Sequence, residues 1–265
     1  MMLLVPRDVL NPRRADEHFA EEAAAARAAG HTVTLVDHDA LAAGHAKTVD
    51  FQEDEPAVYR GWMLTSEAYA GLAEACGGRL RTSPEQYRQG HELPGWYEAL
   101  APFTPESAWG DFDQARAALG NSGPAVLRDY TKSMKHYWHE AAYIPDLADA
   151  EKAHAVARRF RELRGDDFTG GFVLRRFEEF TGAEARTWWV GGECRLITAH
   201  PDTADQLPPD IDVSFLKGAV PALPFVTVDL ALRTDGRWRV VELGDGQVSD
   251  RPRSTSAAEL IDVIR

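Results

Sequence analysis

Two stretches near the end of the chain constrain its architecture most. Residues 226–236, VTVDLALRTDG, and 237–246, RWRVVELGDG, alternate apolar and polar side chains and meet at Asp235-Gly236, a dipeptide suited to a tight hairpin. Folding the pair symmetrically about that turn sets Asp229 opposite Glu242. Like charges directly opposed across an antiparallel ladder cost roughly 0.2–1 kcal/mol relative to neutral pairs, so a fold that keeps them needs compensation. A divalent cation held by two carboxylates and by substrate phosphates would supply it. The spacing is equally compatible with one acid pointing to solvent, which would make the pairing incidental.

Upstream, the chain reads as two regions. Residues 1–100 follow an alternating α/β pattern: MLLVP predicts a strand, ADEHFAEEAAAARAAG a helix closing on Gly30, and HTVTLVD a second strand, together a right-handed βαβ unit. PAVYRGWML predicts another strand, TSEAYAGLAEACGG a helix capped by Ser66, and the following residues a short strand and a helical stretch interrupted at Pro94-Gly95. The Pro-rich APFTPESAWG, residues 101–110, marks a boundary. Residues 101–265 then predict helix DFDQARAALG, strand PAVLRDY, a cation-bearing loop TKSMKHYWHEAAYIPD, helix DAEKAHAVARRFRELRG and strand GFVLRRFEEF. A hairpin turned at Gly191-Gly192, the closing hairpin and a terminal helix SAAELIDVIR complete a largely antiparallel α+β half.

Composition removes several function classes. With 29 Lys and Arg against 42 Asp and Glu, the formal charge of -13 opposes nucleic acid as a partner. Cys76 and Cys194 are far apart and lack CxxC spacing, which excludes a disulfide framework or a thiolate zinc site and indicates a reducing compartment. The apolar run in MMLLVPRDVLNPRR is too short for a signal peptide or a membrane span, so a cytoplasmic enzyme of bacterial type is expected, with no membrane partner. The His136 and His139 pair in HYWH lacks a third metal ligand nearby. RRFRELR, residues 158–164, reads as a solvated basic face paired with acids, and Trp188 and Trp189 as one core residue on each side of a strand.

At the level of order and spacing, the second region resembles the ATP-grasp enzymes. VTVDLALRTDGRWRVVELGDG is similar to that family's closing hairpin, whose Asp and Glu hold the magnesium ions of ATP; these are Asp229 and Glu242 here. FEEFTGAEAR resembles the hinge strand and Gly-x-Glu that follow it, which implies adenine contacts from Phe177, Glu178, Glu179 and Phe180 and a ribose contact from Glu184. PAVLRDYTKSMK resembles the strand and mobile loop that bind phosphate, and PFTPES the short strand that introduces that subdomain. The resemblance implies an ATP-grasp fold, two α+β subdomains clasping ATP over residues 101–265, after an α/β pre-ATP-grasp domain at 1–100.

Four positions depart from the family pattern. The strand lysine is Arg128, which keeps the charge but not the geometry. The loop carries Lys132, Ser133 and Lys135 where many members are Gly-rich, so phosphate capture would rest on ammonium groups and a hydroxyl. An earlier family lysine has no clear counterpart; Arg88 and His91 are the nearest residues able to serve. The asparagine expected two residues after Glu242 is Gly244, and Asp245 is taken as its substitute on the metal, giving three carboxylates whose repulsion should raise at least one pKa when no metal is bound. The glycines Gly244 and Gly246 are expected to let the backbone approach a ligand.

The implied reaction is ATP- and Mg2+-dependent ligation of a carboxylate, on a small molecule or peptide, to an amine or similar nucleophile. Arg128, Lys132 and Arg186 are the candidate catalytic residues, Arg186 touching a phosphate or the acceptor or else forming a structural pair with Glu184. A phosphotransferase on the same fold and a nucleotide-binding module without turnover are the alternatives.

Overall fold

The computed structural model describes residues 1–51 and 55–265. Strands β1 (Met2–Pro6), β2 (Thr32–Val36) and β3 (Ala57–Tyr59) form a parallel sheet in the order β2-β1-β3. β1 is central and buried along its length, so it reads as an unbroken apolar run and not as an alternation. Helices α1 (Ala20–Ala28), α2 (His38–Ala42), α3 (Ser66–Ala75), α4 (Pro84–His91) and α5 (Leu93–Leu100) surround and follow it. Thr65, one residue before the expected Ser66, caps α3 by accepting from the Ala68 amide; Ser66 donates instead to Glu92 at 2.7 Å. The short strand expected near residue 80 is a single bridge between Ala57 and Leu80. The helical break falls at Glu92, with Pro94 in the first turn of α5, where a missing N–H leaves no bond unmade.

Two antiparallel sheets follow. The first, in the order β4-β7-β5-β6, contains β4 (Ser107–Gly110), β5 (Ala125–Asp129), β6 (Tyr143–Ile144) and β7 (Phe172–Arg176), backed by α6 (Phe112–Ala118) and α7 (Ala150–Arg164) over a core of Phe112, Leu127, Phe160 and Leu174. The second, in the order β11-β10-β8-β9, contains β8 (Phe180–Val190), β9 (Glu193–Ala199), β10 (Val226–Arg233) and β11 (Trp238–Asp245), and the chain ends in α8 (Ala257–Ile264). GFVLRRFEEF is therefore not one strand: β7 stops at Arg176, β8 starts at Phe180, and residues 177–179 carry the chain from one sheet to the other. Strand alternation splits the tryptophans as expected. Trp188 packs with Leu3, Phe225 and Leu260, and Trp189 with Val226 and Val228 on the other side.

The closing hairpin pairs Asp229 with Glu242 as expected, by a route the count of residues does not reveal. At the tip, the Arg233 amide donates to the Arg237 carbonyl and Gly236 adopts φ +81°, so Leu232 faces Trp238, one residue off the symmetrical register. Val241 then bulges out between the pairs Leu230–Val240 and Asp229–Glu242, and the register returns.

The loop after β11 is tied to the parallel sheet. Buried Arg60, just past β3, pairs with Glu22 at 2.7 Å and donates to the carbonyls of Gly246 and Ser249 at 2.5 and 2.9 Å. Gln247 accepts from the Tyr59 amide at 3.1 Å. Gly246 is required by packing more than by any ligand: a Cβ there would lie 2.6 Å from Phe225. Among the described residues no helix is long and apolar enough to cross a membrane.

Candidate active site

Adjacent strands carry the central side chains. Pairing of β8 with β10 and of β10 with β11 sets Arg186, Asp229 and Glu242 in one row on one face of the second sheet. Arg186 chelates Asp229 through both oxygens at 2.8 Å, and Arg128, reaching across from β5, donates to Glu242 at 2.7 Å. In this state, then, two guanidinium groups compensate the opposed acids. Burial pushes the Asp229 carboxyl up, but the Arg186 charge and its hydrogen bonds outweigh burial and hold it far below the usual range. Burial likewise raises Glu242, and Arg128 with Lys132 brings it below its ordinary value.

Glu184 shares this face, and its carboxylate, that of Asp229 and a ring nitrogen of His200 lie within 4.8 Å of one another. Burial, and then the Asp229 charge, raise its pKa. Arg186 thus pairs with Asp229, not with Glu184.

A cavity of about 300 Å³ lies between the two antiparallel sheets. Of the residues expected at a nucleotide, Arg128, Lys132, Ser133, Lys135, Phe177, Glu178, Phe180 and Glu184 line it, with Asp229 and Glu242 at its inner end. Glu179 is not among its lining residues; it is exposed, and its carbonyl accepts from the Thr234 amide. Glu178 is held by Arg239 through both oxygens at 2.8 Å. Lys135 pairs with Asp202, which follows β9, so the loop after β5 is clasped to the opposite sheet. No ion pair involves Lys132 among the described residues. Arg175 and Trp138 also line the cavity and were missed. Buried Arg175 donates to the Val241 carbonyl at 2.6 Å and to Thr104 at 2.6 Å, and burial together with the Arg128 charge lowers its pKa to about 9. The signal in the sequence is weak, an arginine in phase with Val173 in a strand that also carries Arg176.

A second cavity, of about 100 Å³, shares Lys132, Asp229 and Glu242 with the first and extends to His91, Gly244, Asp245 and Ser249. Burial, and then the Lys132 charge, lower His91 to about 4, so it is neutral at pH 7. Arg88 is largely exposed and paired with Glu92. Asp245 is not brought beside the other two acids. It faces Val226 across the ladder, in phase with Leu243 and opposite in phase to Glu242, and is 1% exposed. Its Oδ1 accepts from the Gln247 amide at 2.9 Å and side chain at 3.1 Å, its Oδ2 has no partner among the described residues, and burial raises its pKa to about 7. His136 and His139 join no cluster of metal-ligating side chains among the described residues. In the basic helix face, Arg159 and Arg164 pair with Glu140, Glu162 and Asp129.

A family model of the ATP-grasp domain, family 3 of its clade, matches residues 118–264. The chain belongs to the ATP-grasp family. Solved structures agree at the level of the fold. A RimK-domain ATP-grasp protein from Sphaerobacter thermophilus is 18% identical, with 100% of this chain and 99% of that one covered at a TM-score of 0.67. D-cycloserine synthetase DcsG is also 18% identical, with both chains covered completely and a TM-score of 0.60. The ATP-grasp ligase PsnB, in complex with a phosphomimetic variant of its minimal precursor, Mg and ADP, is 13% identical over 99% of this chain and 95% of that one, at 0.57. A search of curated proteins found no match.

For an ATP-grasp chain, Mg-ATP is the ligand against which this site has to be tested, and the donor set fits it. The cavity offers aromatic walls in Trp138, Phe177 and Phe180, cations in Arg128, Lys132 and Arg175, and hard carboxylate oxygens in Asp229 and Glu242 at the end where a polyphosphate would lie.

Proposed function

We propose that this chain is an ATP- and Mg2+-dependent ligase joining a carboxylate to an amine or similar nucleophile through an acyl phosphate. The observation that carries the reading is the shared wall. Lys132, Asp229 and Glu242 border both a cavity suited to a nucleotide and a second, small polar cavity, so a group entering the second would meet the phosphate end of the first. The synthetase and ligase among the fold neighbours support the same class.

In this reading Asp229 and Glu242 would hold magnesium, which would supply positive charge against the negative charge developing on the phosphates. Arg128, Lys132, Ser133 and Lys135 bind phosphate oxygens. Phe177, Glu178 and Phe180 border the base and Glu184 the ribose. Arg186 keeps Asp229 ionised and is close enough to the shared wall to touch the transferring group. Little covalent chemistry falls to the protein, so positioning and charge supply the rate. Residues 1–100 and 101–265 are assigned as the pre-ATP-grasp and ATP-grasp units.

The test is ADP release from Mg-ATP over panels of carboxylates and amines, with hydroxylamine replacing the amine. A carboxylate-dependent hydroxamate is expected. Stable phosphorylation of a substrate without hydroxamate would instead make the chain a kinase.

A further inference from the structure

Glu242 follows the irregular point of β11, and what holds that point comes from outside the second sheet. Val241 has no partner in the ladder, and a residue left out in this way has to find partners for its backbone elsewhere. Arg175, on β7, donates from Nη1 to the Val241 carbonyl at 2.6 Å, from Nη2 to Thr104 Oγ1 at 2.6 Å and from Nε to Ser107 Oγ at 3.3 Å. Thr104, just ahead of β4 and 1% exposed, donates its own hydroxyl to the Val240 carbonyl at 2.8 Å. Two successive carbonyls at the bulge are thus answered by one bonded pair of side chains.

A neutral donor would satisfy a single carbonyl at less cost than a buried guanidinium. Arg175 is 7% exposed, its hydrogen bonds all end on neutral oxygens, and no ion pair involves it among the described residues. What the guanidinium adds is a rigid planar fork that holds Val241 and Thr104 together. The Val241 carbonyl and the Glu242 nitrogen belong to one planar peptide. Strand pairing decides the face on which Glu242 stands, and the grip on the preceding peptide narrows the direction its side chain takes on that face.

We propose that Arg175 is the positioning residue of Glu242: seated on the first sheet, it holds the Val241–Glu242 peptide so that the carboxylate stands beside Asp229 and meets Arg128. The place of the acid then depends on how the two sheets sit together. The consequence for magnesium rests on the reading of Glu242 given under the proposed function; the grip on the bulge does not.

Arg175 also lines the nucleotide cavity, so a change there alone would not separate its grip from its charge. Thr104 is not among the lining residues, and Thr104→Val removes the hydroxyl that links Arg175 to the Val240 carbonyl while leaving the guanidinium in place. Thr104→Val, Thr104→Ser, Arg175→Lys and the double variant Thr104→Val with Arg175→Lys are compared with the unsubstituted chain. Calorimetry gives Kd for metal-free ADP, and a magnesium titration at saturating ADP gives the midpoint of the further rise in melting temperature. Thr104→Val and Arg175→Lys are each expected to raise the magnesium midpoint about tenfold, the scale on which removing an outer partner of a metal ligand acts, with Kd for metal-free ADP unchanged. Thr104→Ser keeps the hydroxyl and is expected to keep the midpoint, and the double variant is expected to go no further than the larger single effect. An unmoved midpoint in Thr104→Val would overturn the proposal, and weaker metal-free ADP binding by Arg175→Lys at an unmoved midpoint would make Arg175 a phosphate ligand instead. Should Thr104→Val not fold, Arg175→Lys against Thr104→Ser decides in the same way. The 13C resonance of the Glu242 carboxylate, followed without metal, keeps the two readings apart. An unsubstituted chain without any magnesium response would refute Glu242 as a metal holder, whereas a resonance that stays in place in both Thr104→Val and Arg175→Lys would refute the positioning.

Discussion

The raised carboxyl of Asp245 makes a stability prediction with a definite sign. Its pKa moves from 3.8 to about 7 on folding because burial disfavours the charged form. Between those values the folded chain holds a proton that the unfolded chain has released, so stability falls as pH rises from near 4 to near 7 and then levels off. At about 1.36 kcal/mol per pKa unit, the burden of the charged form is roughly 1.5 kcal/mol at pH 5 and about 4 kcal/mol above pH 8. Asp245→Asn removes the titration while keeping an oxygen for Gln247. Its stability relative to the parent chain is therefore expected to improve by about 3 kcal/mol between pH 5 and pH 8.5. Urea unfolding of both proteins at the two pH values measures this, since every other titrating group cancels in the difference. A difference that stays constant with pH would mean that Asp245 ionises in the folded chain as it does unfolded, and the argument from burial would be wrong.

Further outcomes follow from the same geometry. Mg-ATP is expected to raise the melting temperature, by an amount corresponding to about 2.7 kcal/mol at a hundredfold excess over Kd; no shift at millimolar concentration would contradict the assignment of the larger cavity. Arg186→Met leaves buried Asp229 with the His200 ring, 3.5 Å away, in place of its bidentate partner and is expected to cost about 3–5 kcal/mol in urea unfolding, whereas a cost near zero would show that His200 or water replaces the arginine. Glu184→Ala is expected to weaken ATP binding in calorimetry with an unchanged magnesium midpoint; a shifted midpoint would place Glu184 on the metal together with His200. Gly246→Ala, whose new methyl would meet Phe225, is expected to lower stability by about 1–3 kcal/mol without altering the gain from Mg-ATP.

What could be read from the sequence was local. Alternation and an Asp-Gly turn sufficed to place Asp229 across from Glu242, and the resemblance of PAVLRDYTKSMK to the family's phosphate-binding strand marked Arg128, which lines the cavity. What could not be read depended on which strands become neighbours. β8 lies beside β10, so Arg186 finds Asp229 and not Glu184, two residues away on its own strand. Arg175 carries no local motif, and only the place of β7 between β4 and β5 brings it to the cavity wall. The clasp between Lys135 and Asp202 joins segments that share no local pattern. Asp245 was the nearest oxygen to Glu242 in sequence, yet strand parity sends it to the opposite side. Counting along the chain gives proximity, but only the pleat gives direction.

The bulge at Val241 holds one residue that the pairing of the hairpin does not need. Pairing on the tip side and pairing at Asp229 and Glu242 are offset from each other by that single residue. A peptide tag or a fluorophore inserted between Asp235 and Gly236 would lengthen an exposed tip and leave the acids where they are. Removing Val241 would close the bulge and leave Glu242 directly after Val240, still opposite Asp229 and on the same face, whereas removing Leu243, which has no spare residue beside it, would turn everything after it by half a pleat. The hairpin is thus permissive at its tip and at its bulge and intolerant of a single deletion in the regular ladder, and a deletion scan across residues 233–243 would draw that border to the residue.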